Sequence, residues 1–117
     1  MSRPLEIRVA IAVFVAGAVL FVGAGALRDA AALTFPVIVA VIGLLAAAGL
    51  LARWHSGGMA AFVAAGLIAL AHMLIALGDV HWGFRVLSGV LAAAHIYAAI
   101  LVLTKPAREH LQGVPHE

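Results

Sequence analysis

The sequence predicts an all-α membrane protein, an antiparallel bundle of four transmembrane helices. Three observations carry this expectation. The chain has 117 residues, of which 66% are hydrophobic and only 10% charged, and its mean hydropathy is +1.18. The charges fall into short clusters separated by apolar runs of about 18–23 residues, each long enough to cross a hydrocarbon core of roughly 30 Å. A water-soluble domain of this size needs far more polar surface.

The first span is expected over about residues 9–27, after a head carrying Arg3, Glu6 and Arg8. Its basic head, apolar core and Ala24-Gly25-Ala26 also fit a signal peptide with a cleavage site; we read it as a retained span. Arg28 and Asp29 form the turn. The second span covers about residues 30–52, with Pro36 near its start, where a missing N–H costs little. Arg53 to Gly58 make the next loop. The third span is expected over about residues 59–78 and the fourth over about 85–103, with Lys105-Pro106 as a stop and residues 104–117 as a polar tail. Pro36 can also bend the second span, and Gly23 and Gly25 loosen the end of the first.

Orientation follows from the basic residues. Arg3, Arg8, Arg53, Lys105 and Arg108 lie on one side, and Arg28 and Arg85, each near an aspartate, on the other. The bias places both termini in the cytoplasm, and Trp54 and Trp82 sit where headgroups favour indole rings. Arginine outnumbers lysine six to one and asparagine is absent, a bias that points to a GC-rich bacterial genome and so to a bacterial inner membrane.

The two hairpins echo each other. Ala12-Val13-Phe14-Val15-Ala16 resembles Ala60-Ala61-Phe62-Val63-Ala64, and Gly43 to Ala48 resembles Gly89 to Ala94. Duplication of an ancestral hairpin and coincidence among Ala, Val and Leu both account for this.

Several chemistries drop out. Without cysteine there are no disulfides, thiolate metal sites or cysteine nucleophiles. The pI near 10 comes from residues scattered over span ends, without the clustering that nucleic-acid binding needs. No nucleophile elbow, phosphate loop or carboxylate pair is present. His55, His110 and His116 lack metal-binding spacing. The Asp79, His81 and Arg85 group reads first as a solvated loop. In length and span count the chain resembles the small multidrug-resistance exporters. Those carry a membrane-embedded glutamate in the first helix, whereas Val9 to Leu27 hold no acid and Glu6 lies outside the span.

His72 and His95 are the most informative residues. Ionisable groups in a membrane cost about 2.5 kcal/mol or more when charged, so they face protein or water. Ala65, Ala69, His72 and Ala76 recur on one face of the third helix, and Ser88, Ala92, His95 and Ala99 on one face of the fourth. Both histidines therefore sit in a seam of small residues that lets helices approach closely; Gly43 with Ala47 makes a similar step in the second span. Counted from the span ends, the two histidines differ in depth by about 5 Å.

Three readings follow. The imidazoles hydrogen-bond across a packed seam in an accessory or scaffolding subunit of a larger membrane complex, or in a homo-oligomer. Alternatively, His72 and His95 ligate a b-type haem axially, with Arg85 pairing with a propionate; this needs splayed helices or a ligand from a second subunit. Thirdly, His72, His95 and Tyr97 relay protons in a small transporter or channel, although no acid lies mid-membrane to couple cation movement.

Overall fold

The computed structural model describes residues 4–28, 34–53, 57–79 and 81–112. Arg3, Asp29, Trp54, His55 and His116 lie outside them, as do residues 30–33 at the expected start of the second span. All the described secondary structure is helical: α1 (Leu5–Arg28), α2 (Thr34–Leu51), α3 (Gly57–Leu77), α4 (Trp82–Val102) and a short α5 (Lys105–Leu111). The first four are long and apolar enough to cross a membrane. They form a four-cornered antiparallel bundle in which α3 packs most closely on α4 and α1 on α2, with α1–α4 and α2–α3 completing the ring.

The interior is built from small residues and the exterior from large ones. Ala61, Ala65 and Ala98 are fully buried, and Ala47, Ala69 and Ala92 nearly so, while Leu20, Leu45, Leu67, Leu74, Val90 and Ile100 face outward. In lipid an exposed leucine costs nothing, so helix association rests on close backbone approach, which alanine and glycine permit. Larger side chains share the interior at Ile7, Phe14, Leu50, Ile68 and Val102.

Helix ends differ from the apolar runs for local reasons. Helix α1 begins at Leu5, four residues before its apolar run, because Pro4 already accepts the Arg8 N–H at 3.1 Å and Glu6 lies in the first turn, where the helix dipole favours an acid. Helix α4 begins at Trp82, ahead of Arg85, because His81 caps it: its Nδ1 accepts the Gly83 N–H at 3.1 Å. Pro36 occupies the third position of α2 and is buried.

The tail contains an element that its polarity concealed. Helix α5 starts after Thr104, with Pro106 in its first turn, and lays Ala107, His110 and Leu111 against the bundle end formed by α1, α3 and α4. Arg53 holds it there. At φ 54° this residue ends α2 in the left-handed conformation, and its Nε and Nη2 donate to the His110 carbonyl at 3.0 and 2.8 Å.

The echoing segments of the two hairpins pack differently. Phe14 is 1% exposed and Phe62 39%. A methyl group at Gly43 would touch the Phe14 carbonyl and Ile68, whereas at Gly89 it would meet open space.

Candidate functional site

The α3–α4 interface brings His72 and His95 together in the middle of the bundle. Both are 1% exposed, and their rings stack with centroids 5.8 Å apart and planes 30° from parallel. The small residues around them are buried as well: Ala65, Ala69, Ser88, Ala92 and Ala99, with Ala76 half-buried near the turn. Gly43 and Ala47 are buried on α2, where Gly43 approaches the α1 backbone at Phe14.

The two imidazoles are not equivalent. His95 Nδ1 lies 2.7 Å from the Leu91 carbonyl one turn back on its own helix; since that oxygen can only accept, Nδ1 carries the proton and donates, leaving Nε2 as the lone-pair nitrogen. His72 has no such partner: neither Nδ1 nor Nε2 makes a hydrogen bond. It is held by rings instead, with Phe21 edge-on at 4.5 Å and His95 on another side.

Helix α1 covers the pair, a role not visible in its sequence. Phe14 packs edge-on against His95 at 5.7 Å, Phe21 does the same to His72, and Gly17 lies directly over the His95 ring, where a Cβ would come 2.7 Å from Cε1 and 3.1 Å from Nε2. The Phe14–Gly17–Phe21 spacing is helical and was the available signal, but it is indistinguishable from ordinary apolar sequence until the facing helix is known. The space enclosed by Phe14, Gly17, His72 and His95 admits no water molecule. A porphyrin between α3 and α4 therefore requires the two helices to part.

The other candidate residues lie elsewhere. Arg85 is exposed on the first turn of α4 and its Nε donates to the Ala76 carbonyl at 2.9 Å, so it caps the end of α3, where a cation meets the negative end of the helix dipole. Ten residues separate it from His95, about 15 Å of helix. Tyr97 is 55% exposed on the outer face of α4, away from the histidine pair. Asp79 and His81 are exposed beside the α3–α4 turn. Ser88 is buried two turns from His95 and borders a cavity of about 180 Å³ at the turn end of the bundle, with Phe21, Phe35 and Phe84 among its walls. Among the described residues no group of three or more His, Cys, Asp or Glu is placed to hold a metal ion.

A second concavity is lateral. Between α2 and α3, Ile42, Ala46, Gly49, Gly57, Ala60 and Ala64 border about 230 Å³, which continues into a more open groove along Met59, Val63 and Leu67.

A family model described as the PGF-CTERM motif matches residues 35–55. The match spans α2 and the beginning of the loop after it, an apolar helix followed by Arg53, and two more long apolar helices follow it in the chain. No curated protein and no solved structure matches the chain. The chain is thus a membrane-type helical protein carrying a matched PGF-CTERM motif.

Proposed function

We propose that this protein acts by helix–helix association in the membrane, as an accessory or scaffolding subunit of a larger complex or as a homo-oligomer. The observation that supports this best is the α2–α3 groove. Its floor is Ala46, Gly49, Gly57 and Ala64, residues small enough for another transmembrane helix to approach the backbone closely. These floor residues are themselves buried between α2 and α3, and with Ala60 exposed at the rim the concavity above them is a place for a side chain of the partner helix.

In this reading both termini and α5 lie on the cytoplasmic side of a bacterial inner membrane, residues 1–117 form one transmembrane domain, and the His72–His95 pair belongs to the packed interior. The closed space around the pair favours this over haem ligation or a proton path, both of which require that interior to open.

Filling the groove tests the reading. Ala60 is exposed on its rim, so Ala60→Phe leaves the monomer fold intact and blocks an approaching helix. Purification in mild detergent or lipid nanodiscs, followed by native mass spectrometry, is expected to show a larger assembly for the parent protein and its loss in the variant. A single chain in both, or the same assembly in both, refutes the reading.

A further inference from the structure

An association role uses neither His72 nor the cavity at the turn end. His72 is 1% exposed and both its ring nitrogens are without hydrogen bonds. A neutral imidazole presents one donor and one acceptor, and leaving buried polar groups unpaired costs about 1–3 kcal/mol. His95, one ring away, answers part of its own need through Leu91.

The cavity lies close by. Its volume of about 180 Å³ slightly exceeds that of the engineered apolar cavity of roughly 150 Å³ that takes up benzene. Three phenylalanines line it, Phe21, Phe35 and Phe84, with Ile75 and the single hydroxyl of Ser88. Among the described residues no charged side chain borders it. Ile75 stands one turn along α3 from His72, about 4.5 Å of helix rise. One ring separates the cavity from the imidazole: Phe21 borders the cavity and also meets His72 edge-on at 4.5 Å.

We propose that this cavity binds a small neutral aromatic molecule bearing a hydroxyl, of the phenol class. Its ring occupies the phenylalanine-lined space, and its hydroxyl hydrogen-bonds to His72 when the Phe21 ring turns aside. A hydroxyl both donates and accepts, so it suits whichever imidazole nitrogen carries the proton. Water is the weaker occupant, because the phenylalanine-lined space is apolar and apolar cavities stay dry. The proposal does not rest on the association reading.

The test uses the full chain in lipid nanodiscs with ¹⁵N-labelled histidine, the His72 ring signals being assigned by their loss in His72→Leu. Phenol is titrated against toluene, which has the ring without the hydroxyl. Phenol is expected to shift the His72 nitrogen signals saturably, and toluene to compete for the cavity without shifting them. Phenol should bind about tenfold more weakly to His72→Leu, the loss of one hydrogen bond of about 1.4 kcal/mol, while toluene binding stays unchanged. Ala24→Phe, or Leu87→Trp should that variant fail to fold, fills the cavity from its wall and should abolish the phenol shift. Equal shifts from phenol and toluene, a phenol shift that survives the filled cavity, or ligand-free nitrogens already hydrogen-bonded to exchangeable water would each overturn the proposal.

Discussion

Replacing Gly17 by alanine sets two effects of known size against each other. In a helix interior alanine is favoured over glycine by about 1 kcal/mol, so an alanine that meets nothing stabilises. At Gly17 the new methyl would lie 2.7 Å from His95 Cε1 and 3.1 Å from Nε2. The ring cannot simply retreat, because Nδ1 is tied to the Leu91 carbonyl at 2.7 Å, Phe14 packs against it and His72 stacks beside it. Forcing a methyl into such a core costs about 1–3 kcal/mol. Gly66 is the control: it is exposed in mid-helix, and a Cβ there meets nothing within 4 Å. Gly66→Ala should gain up to about 1 kcal/mol, and Gly17→Ala should fall about 1–3 kcal/mol below it. Reversible denaturation in mixed micelles, followed by circular dichroism, measures both. Adding His95→Ala should erase most of the Gly17→Ala penalty, because the atoms it strikes are gone. If Gly17→Ala proves as stable as Gly66→Ala, the close packing of α1 over the histidine pair is wrong.

Other consequences follow from the polar contacts. His72→Leu should be neutral or stabilising by about 1 kcal/mol, since relieving an unpaired buried group outweighs the lost ring contact with Phe21; clear destabilisation in the same assay would mean the imidazole has a partner. Arg53→Ala removes both hydrogen bonds to the His110 carbonyl and should release α5, raising amide exchange over residues 105–112 by an amount equivalent to about 1.5–3 kcal/mol, with exchange in mid-α3 unchanged. His81→Ala deletes the cap of α4 and should cost about 0.5–2 kcal/mol, with fraying confined to the first turn. Protein purified from haem-replete cells should show no Soret band, oxidised or dithionite-reduced, because the pair is closed by its own packing. Stoichiometric b-type bands, lost in His72→Ala and His95→Ala, would reverse that reading.

Much of the site was legible along single helices. The spacing of Ala65, Ala69 and His72, and of Ser88, Ala92 and His95, places each set on one face, and the counted depths of the two histidines bring them near the same level. What such counting cannot supply is the third helix. Phe14, Gly17 and Phe21 look like any apolar stretch until α1 is seen lying over the imidazoles. Arg85 illustrates the converse: its charge and position suggested a ligand partner, yet its Nε meets the open end of α3, nine residues away in sequence. The short α5 was hidden because three inward residues, Ala107, His110 and Leu111, do not make a hydropathy signal on seven residues.

By itself the sequence determined the number and approximate place of the spans and the faces on which small residues line up. Those properties depend on composition over a window and on the 3.6-residue period, both local quantities. Tertiary structure alone decided which faces meet, that α1 seals the histidine pair, that His72 is left without a hydrogen bond while His95 keeps one, and that Arg53 pins the tail helix. Each of these depends on contacts between residues far apart in the chain, where the rule for membrane helices is close fit of small surfaces, and fit is a property of two surfaces at once.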